Sequence, residues 1–572
     1  MKQWSRFFTA AALAATLSMP AGSWANDWRS WADHEREHDK GAYMAGDFHQ
    51  HTTYTDGSKT FPFVMEKNDQ FGLDWWANSE HGGVRARDGQ DHFWDDPNYY
   101  DPYPILDYSG KTDLGHQAMC RWQSLMDYAY YDIVAARAKY PTKRIVSGVE
   151  WNVPGHEHCS VGVIPLPDDN TADAVAAFEY QFDKSDGDTQ LNGGKFGDFG
   201  PLVKENQSNS HQAAVRAVTW MQTQYNKGKI DDAWIIFAHV ERAGAWVAKP
   251  AGQNDTGSGG YNVESFRDFN NAAPDICFGF EGVPGHQAGT NRGEFGSGAS
   301  GGGTYGGAGI YTARTGGLWD ALLGEGRRWF NFASSDFHTH WDAGGSDYYP
   351  GEYQKTWTYV VGKDRQEGVS LKEIAQGLRS GNSFLTSGDI IDALIFKARS
   401  AVDEVTMGGE LTARRGKDVE IEIRFKSPEF NNHCTDDECD SPVVDHVDLI
   451  AGDITGKIRP TDPNYANAAN PSAKVIKTFT SADWIQDKDG YNVITYQINL
   501  NPVSNSTDSK KWKGVYFRLR GTNNDLNSLE IDQTNLNHDP AKDPSEGSTA
   551  DQNANAWADL WFYSNPIFVY VK

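Results

Sequence analysis

Short apolar segments typical of β-strands alternate with amphipathic helical windows from Asp47 to about Gly388. The clearest strand candidates are Leu73–Ala77, Arg144–Glu150, Trp234–Ala238, Ile276–Glu281 and Trp329–Ser334. Repeated strand–helix alternation is typical of a parallel α/β core, and this number of units favours a barrel over a short open sheet. We therefore predict an α/β barrel, with stretches such as Asp168–Gly200 as surface insertions.

The pattern changes after Gly388. Val419–Phe425 alternates apolar and charged residues, and three later segments are also strand-like: His446–Ile450, Gly514–Arg520 and Ile567–Val571. Gly, Asn, Asp and Pro fill the gaps, as in antiparallel β-structure. We predict an α/β unit over residues 26–388 and an all-β, sandwich-like domain over residues 389–572.

The first 25 residues have the order of a secretory signal. Lys2 and Arg6 precede an apolar run from Phe7 to Met19, and small residues flank Trp24 where a signal peptidase would cut after Ala25. We predict a signal peptide over residues 1–25 and a periplasmic or secreted protein. A buried N-terminal helix is the alternative.

Charge excludes one class of partner. The 572 residues contain 78 acidic and 52 basic side chains, a formal net charge of −26 that repels nucleic-acid phosphates over most of the surface. No later segment approaches the roughly 20 apolar residues of a membrane span. We expect a small-molecule substrate, with no nucleic acid and no membrane span.

Five cysteines are too few for a disulfide scaffold. Cys434 and Cys439 are the only pair close enough in sequence to suggest a local bridge. Cys120, Cys159 and Cys277 lie in apolar or strand-like settings, where we expect buried free thiols.

Strand candidates of the α/β unit end in side chains that can bind a metal ion. His49 and His51 follow the run from Met44 to Phe48 and would point the same way on an extended strand. Later strand candidates end in Glu80-His81, Glu150, His239 and Ser335-Asp336-Phe337-His338. Because the carboxyl ends of barrel strands form one rim, we expect these side chains to meet. Ordinary buried polar groups are the alternative.

Imidazoles mixed with carboxylates, almost without sulfur ligands, suit Zn, Mn or Fe. The candidates are more numerous than one ion needs. Two or three divalent ions that share a bridging carboxylate would use them, and such clusters activate water.

In order, these motifs resemble those of the PHP (polymerase and histidinol phosphatase) superfamily. The matching segments are Gly46-Asp-Phe-His-Gln-His-Thr-Thr-Tyr-Thr-Asp-Gly57, Gly72-Leu-Asp with Glu80-His81, Gly148-Val-Glu150, Ala238-His239 and Ser335-Asp-Phe-His338. The long inserts, leader and trailing β domain look like the carbaryl-hydrolase-like secreted branch. The resemblance implies a distorted (β/α)7 barrel with a two- or three-metal centre.

The resemblance also implies the metal ligands. The first ion would be held by His49, His51, Glu150 and Asp336, the second by Glu150, His239 and a histidine after Glu150, and the third by Asp56, His81 and His338. The histidine after Glu150 is either His156 or His158; we favour His158, which enters the apolar run that follows. The usual Thr-Asp-His is Ser79-Glu80-His81 here, with a longer acid.

Catalytic roles are predicted for Glu150 and Asp336. His340 is either a proton donor to the leaving group or a solvated loop histidine. The candidates for substrate contact are Arg242, Glu281, His286 and Tyr305. For Arg242 the alternative is a surface salt bridge. For Glu281 and His286 the alternatives are a position behind the metal ligands or in a plain turn.

The stretch Gly282–Gly317 is rich in glycine and is expected to cover the site as a loop. Its candidates for substrate contact are Arg292, Phe295, Tyr305, Tyr311 and Arg314. A linker with no role is the alternative.

The resemblance implies a metal-dependent hydrolase in which a metal-bound hydroxide attacks the phosphorus of a phosphomonoester or phosphodiester. A carboxylic ester or carbamate hydrolase with the same metals is the alternative, because metal ligands report the nucleophile more than the substrate. A non-catalytic binding protein on a degenerate barrel is a further alternative, against which the intact ligand set argues.

Overall fold

The structure is a computed structural model. It describes residues 41–106, 111–188, 196–205, 208–243, 259–289, 292, 305–362, 368–435, 438–439, 441–504, 511–527, 530–531, 537–538 and 548–572. The predicted signal peptide lies outside these ranges, as do residues 290–291 and 293–304 of the glycine-rich stretch, including Phe295.

The strands are numbered in chain order within the described ranges. Up to Gly388 they are β1 (Gly41–Asp47), β2 (Trp75–Asn78), β3 (Val84–Arg85), β4 (Thr112–Asp113), β5 (His116–Gln117), β6 (Met119–Cys120), β7 (Arg144–Asn152), β8 (His158–Ile164), β9 (Asp232–Phe237), β10 (Gly279–Val283), β11 (Phe330–Ala333), β12 (Gln354–Val361) and β13 (Ser383–Ser387). Later strands are β14 (Ala393–Arg399), β15 (Glu404–Thr406), β16 (Glu410–Ala413), β17 (Asp418–Lys426), β18 (Cys434–Thr435), β19 (Glu438–Cys439), β20 (His446–Ile454), β21 (Lys474–Thr480), β22 (Ile485–Gln486), β23 (Asn492–Asn499), β24 (Gly514–Thr522), β25 (Glu530–Ile531), β26 (Asn537–His538), β27 (Trp561–Ser564) and β28 (Ile567–Val571).

The α-helices span Phe61–Gln70, Arg121–Ser124, Tyr130–Lys139, Asp173–Phe182, His211–Asn226, Val263–Ala272, Ile310–Ala313, Leu318–Leu323, Leu371–Ser380 and Thr549–Ala558. Asn262 and Ser370 begin two of them with reciprocal capping boxes, which satisfy backbone N–H groups of the first turn. In the described part of the chain, no helix has both the length and the apolar character needed to cross a membrane.

One large sheet of 15 strands dominates the molecule, in the order β11-β10-β9-β8-β7-β2-β1-β12-β13-β27-β24-β20-β21, with β16 and β28 attached. β1, β2 and β7 are parallel, and so are β9, β10 and β11. β8 is antiparallel to both β7 and β9, so the prediction of a parallel core was wrong at this strand. Only residues 153–157 join β7 to β8, and a connection this short permits an antiparallel pair but no parallel crossover.

The segments that follow β1 and β11 are hydrogen-bonded to each other. The backbone N–H of His51 donates to the carbonyl of Phe337 at 2.9 Å, and that of Asp336 donates to the carbonyl of His49 at 2.8 Å. Strands far apart in the sheet order therefore bring their polar end segments together. β12 is antiparallel to both β1 and β13, and the closed (β/α)7 barrel stays a prediction.

The helix Asp173–Phe182 is buried, so describing all of Asp168–Gly200 as a surface insertion was wrong. The ring of Phe178 in this helix packs edge-on against Trp151 of β7, with ring centroids 5.0 Å apart. The helix is apolar around most of its circumference, which is the pattern of a helix enclosed by other elements rather than lying on a surface.

The strands after Gly388 form two packed layers. β15-β14-β17-β23-β22 make a separate sheet, whereas β27, β24, β20 and β21 continue the large one. Ile421 and Ile423 of the separate sheet share an apolar core with Leu449 and Phe517 of the large sheet. The all-β prediction omitted the helix Thr549–Ala558.

The large sheet crosses the predicted domain boundary. β13 pairs with β12 on one side and with β27 on the other, placing Phe384 opposite Ser564. The division at residue 388 stays a prediction, and the two parts of the chain share backbone hydrogen bonds across it.

Three cysteines are buried, as the sequence predicts: Cys120, Cys159 and Cys277. Cys434 and Cys439 lie opposite each other in the backbone register of β18 and β19.

A buried ion pair fastens the trailing strands to the α/β unit. Arg518 of β24 donates from Nε and Nη2 to the two oxygens of Asp320, at 2.9 and 2.8 Å, and both side chains are fully buried. The Tyr516 hydroxyl donates to the same carboxylate at 2.9 Å. Removing one partner of such a pair leaves an uncompensated buried charge.

We predict that Arg518→Ala lowers the free energy of unfolding by about 3–5 kcal/mol, because Asp320 would stay buried without its cation. Arg399→Ala, which removes a half-exposed cation paired with Glu404, is the control and should cost about 0–1 kcal/mol. Urea denaturation of both variants measures the difference, and equal losses would contradict the prediction.

Candidate metal centre

Residues that follow β1, β9 and β11 meet residues at the paired ends of β7 and β8. His49 and His51 follow β1, and His239 follows β9. Because β8 is antiparallel to β7, its first residue, His158, lies opposite Asn152 and close to Glu150. The antiparallel strand therefore contributes its start, not its end, to the site.

The carboxylate of Glu150 is the centre of this arrangement. It is almost completely buried, and five imidazole nitrogens lie 2.8–3.2 Å from its oxygens, those of His49, His51, His81, His158 and His239. One side chain therefore touches ligand candidates from four separate segments of the chain.

Two further carboxylates extend the cluster. Asp336 Oδ1 lies 3.1 Å from His49 Nε2 and 3.2 Å from His51 Nε2. Asp56 lies on the other side of His51, 3.4 Å from its Nδ1. Asp56 also lies 3.3 Å from His81 Nε2, and 3.5 Å from the Nε2 of His338.

These contacts form four groups in which the ligand atoms all lie within 4.8 Å of one another. The groups are His49, His51, Glu150 and Asp336; His51, Asp56, His81 and His338; His81, Glu150 and His158; and Glu157, His158 and His239. The groups share members, and Glu150 belongs to two of them. Shared ligands are what a site for several metal ions requires.

Buried polar atoms at the centre of the cluster lie close to charged neighbours but form no hydrogen bond of satisfactory geometry, among them His49 Nε2, His81 Nδ1, Glu150 Oε2 and Asp336 Oδ2. Each such atom costs about 1–3 kcal/mol when buried unsatisfied. Divalent ions would satisfy them together, and the donor set of nitrogen and oxygen suits Zn, Mn or Fe. The residues present therefore fit a polynuclear metal site.

Glu150 and His81 stabilise each other's charged forms. Burial would raise the pKa of Glu150, but the imidazoles of His81, His158 and His49 hold it well below the usual range. Burial would likewise lower the pKa of His81, but the charge of Glu150 raises it to about 9. The buried carboxylate is therefore ionised, which is the state that binds cations.

Glu281 lies behind a metal-ligand candidate. Its Oε1 is 2.9 Å from His49 Nδ1, and Ser334 Oγ donates to the same oxygen at 2.7 Å. A carboxylate on the outer nitrogen fixes the tautomer and the ring orientation of a ligating histidine. Of the two roles considered for Glu281, this geometry supports the one behind the ligands.

Glu80, the acid in the altered Ser-Glu-His motif, supports the loop that carries Asp56. Oε2 of Glu80 accepts from the backbone N–H of Thr52 at 3.0 Å and from the Thr55 hydroxyl at 2.5 Å, and Oε1 accepts from Thr52 Oγ1 and from Asn78 at 3.0 Å. The side chain is fully buried. All of these partners lie within 28 residues, but the sequence pattern does not show that the longer acid reaches them.

Of the two histidines after Glu150, the structure brings His158 to the cluster. His158 Nδ1 lies 2.8 Å from Glu150 Oε1. His156 is turned away: its Nδ1 lies 3.0 Å from the carbonyl of Gly260, and its Nε2 lies 2.8 Å from His211 Nδ1.

His340 is not a member of the four ligand groups. Its Nδ1 lies 2.7 Å from Asp342, its Nε2 lies 3.0 Å from Glu352, and its ring stacks on Tyr349. Both nitrogens are thus engaged by carboxylates, and the geometry offers no support for the predicted proton donor.

Arg242 and Tyr305 differ in their surroundings. Arg242 Nη2 lies 3.1 Å from both Glu157 Oε2 and His158 Nδ1, directly beside the cluster. Tyr305 packs against an apolar group that includes Ala308 and Trp561.

Two candidates from the glycine-rich stretch are buried in other contacts, so their assignment to substrate was wrong. Arg292 donates to the Tyr353 hydroxyl at 2.8 Å and pairs with Asp559. Tyr311 donates from its hydroxyl to the carbonyl of Tyr261 at 2.9 Å. Arg314 is exposed. The partners of Arg292 and Tyr311 lie far away in sequence, so no local sequence pattern predicts these contacts.

Sequence reasoning missed Asp347 and Glu157. Asp347 Oδ1 lies 2.7 Å from His286 Nδ1, while its Oδ2 accepts from the backbone N–H of His338 at 2.7 Å. His286 Nε2 then lies 3.4 Å from Asp336 Oδ2. The only sequence signal for Glu157 is its position next to His158.

We predict that the purified protein contains two or three equivalents of Zn, Mn or Fe, because several buried ligand groups share members. Chelation should also lower the thermal midpoint, since ions bound only to the folded state stabilise it. Elemental analysis and a thermal scan measure both effects. Less than half an equivalent after reconstitution would contradict a polynuclear centre.

We predict that Glu281→Gln weakens metal binding about 10–100-fold, because the His49 ring would lose the carboxylate that orients it. Glu352→Gln makes the same change on a Glu–His pair outside the ligand groups and is the matched control. Competition titration with a metal indicator compares the two variants, and equal affinities would refute the role of Glu281.

Comparisons with known proteins add little to this geometry. No family model and no curated protein matches the chain. A solved structure from Bacteroides vulgatus, described as a two-domain protein containing a predicted PHP-like metal-dependent phosphoesterase, aligns over 84% of this chain and 90% of its own, with 11% identity and a TM-score of 0.27. At this TM-score the similarity carries no argument, and the chain's own residues must support any function.

Proposed function

We propose that the protein is a metal-dependent hydrolase that cleaves phosphoesters of small molecules. The observation that carries the proposal is the position of Glu150, a buried carboxylate shared by two ligand groups and touched by five imidazoles. A carboxylate in this position would bridge two cations, and bridged cations are the usual way to activate water for hydrolysis.

The first proposed ligand set is one of the four groups, the second combines members of two others, and the third lies within the remaining one. His49, His51, Glu150 and Asp336 would hold one ion, Glu150, His158 and His239 a second, and Asp56, His81 and His338 a third. Bound divalent ions lower the pKa of a coordinated water and neutralise a departing oxyanion. Glu281 would keep the His49 ring in its ligating orientation, and Glu80 would hold the loop that carries Asp56.

Exposure indicates where a substrate would enter. The side chains of His49 and His51 are inaccessible, whereas Asp56 is 41% exposed and His286 and Arg242 are each 32% exposed. The substrate would therefore approach from the side of these three residues. His286, held by Asp347, would present its Nε2 to the substrate, and Arg242 would contact it from beside His158.

Cations on this open side favour phosphorus over a carbonyl centre. Arg85 Nη2 lies 3.8 Å from Asp56, and Arg242 lies beside Glu157 and His158. Guanidinium groups bind phosphoryl oxygens well, and a neutral ester or carbamate has no matching charge. Carboxylic ester and carbamate hydrolysis remains the competing activity in the test below.

The proposed location is the periplasm or the exterior, after cleavage of residues 1–25. Its support is the order of charged, apolar and small residues at the N-terminus. Mass spectrometry of the mature N-terminus would test it, with residue 26 as the expected start.

We predict that the protein loaded with Mn or Zn hydrolyses aryl phosphomonoesters or phosphodiesters faster than carboxylic esters or carbamates, and that chelation abolishes the activity. Glu150→Gln should reduce turnover by at least about a hundredfold, because the amide removes the charge that would bridge two cations.

Glu205→Gln is the control, since Glu205 forms a surface pair with Arg216 away from the ligand groups, and it should retain wild-type turnover. A panel of the four substrate classes measures both variants. Faster carbamate or ester hydrolysis would overturn the phosphoesterase assignment, and an active Glu150→Gln would remove Glu150 from the mechanism.

A further inference from the structure

A line of hydrogen-bonded side chains connects the trailing β-strands to the loop of residues 153–157. His156 Nε2 lies 2.8 Å from His211 Nδ1, and His211 Nε2 lies 3.1 Å from Asp268 Oδ2. The Tyr465 hydroxyl donates to the other oxygen of Asp268 at 2.6 Å. Tyr465 belongs to the turn Pro463–Ala466 between β20 and β21.

The acceptors at the two ends of this line determine which nitrogen donates in each hydrogen bond. A carbonyl only accepts, so His156 Nδ1 donates to Gly260. With that single proton on the ring, His156 Nε2 accepts from His211 Nδ1. His211 Nε2 faces an oxygen of the Asp268 carboxylate, which is an acceptor, so both ring nitrogens of His211 are placed to donate. His211 is thus a double donor that links His156 to Asp268.

The loop that begins this line carries Glu157 and leads directly into His158, and both residues are members of the metal cluster. Besides the contact of His156, the loop is held by Asn209, which accepts from the backbone N–H of Gly155 at 2.7 Å. Lys184 Nζ donates to the carbonyl of His156 at 2.5 Å. The His156 ring also stacks on Tyr261, with centroids 4.9 Å apart.

At the far end, Tyr465 is fixed to the helix Val263–Ala272. The Arg267 guanidinium donates to the carbonyl of Tyr465, and Asn271 Nδ2 donates to its hydroxyl at 3.1 Å. Asp268 lies on the same helix. The trailing strands therefore have a fixed contact with the carboxylate that holds His211.

We propose that the line Tyr465–Asp268–His211–His156 positions the loop that carries Glu157 and leads into His158. The trailing β-strands would thereby help to hold these two residues in place at the metal centre. His211 and Tyr465 are positioning residues, because neither touches a ligand group directly. The inference goes beyond the proposed function but rests on it in one respect, the assignment of His158 as a metal ligand.

Two variants of His211 separate positioning from general packing. The side-chain amide of Asn places an N–H near the position of Nδ1, and that of Gln places one near the position of Nε2. His211→Gln loses the donor to His156, and we expect it to weaken metal binding about 10–100-fold. His211→Asn keeps that donor but loses the contact with Asp268, so it should weaken metal binding less than His211→Gln does. Equal affinities of the two variants, whether both weakened or both unchanged, would overturn the proposal.

Tyr465→Phe tests the distant end of the line in metal-free protein. Loss of one hydrogen bond should speed amide exchange in peptides covering residues 153–158 about two- to tenfold. Tyr516→Phe removes a comparable hydroxyl–carboxylate bond between the same parts of the chain, at Asp320, and should leave those peptides unchanged. Unchanged exchange in Tyr465→Phe, or the same increase in Tyr516→Phe, would overturn the proposal.

The exchange measurement needs no metal, so the two hypotheses fail separately. A wild-type protein that binds no metal overturns the proposed function, whatever the exchange rates show. Normal metal binding with unchanged exchange in Tyr465→Phe overturns the positioning role alone.

Discussion

The buried charge of Glu150 is the constraint on which the site depends. A carboxylate taken out of water is costly unless cations or donors surround it. Here five imidazoles from four segments of the chain supply that surrounding, and His49 and His51 are the two that share a segment. The register of the sheet, the antiparallel direction of β8 and the pairing of the segments after β1 and β11 all serve this convergence.

Much of the candidate site could be predicted because its signals are local. Most ligand candidates stand at the end of an apolar run and His158 stands at the start of one, and such positions can be read from a few residues. Partners distant in sequence could not be predicted in this way. Glu281 meets His49 across 232 positions, and Arg292 meets Asp559 across 267. The direction of β8 was also not predicted. The connection between β7 and β8 is too short for a parallel crossover, although the surrounding segments alternate between strand and helix.

The polar residues around the ligand candidates hold those candidates and their loops in position. Glu281 orients an imidazole, Glu80 ties down the loop of Asp56, and Asp347 holds His286 and the backbone at His338. Each of these carboxylates is buried and engaged by several donors. Such support limits the freedom of the ligands, and rigid ligands bind ions more selectively than mobile ones.

The pairing of β13 with β27 has a consequence for how the molecule can be made or divided. β27 lies within the last dozen residues of the chain, at Trp561–Ser564. Until those residues are synthesised, β13 is an edge strand with unpaired N–H and C=O groups and a buried-type sequence, Ser-Phe-Leu-Thr-Ser. An exposed apolar edge of this kind recruits other strands and promotes aggregation. A nascent or truncated chain that ends before β27 therefore carries a self-association hazard at β13 that pairing with β27 removes.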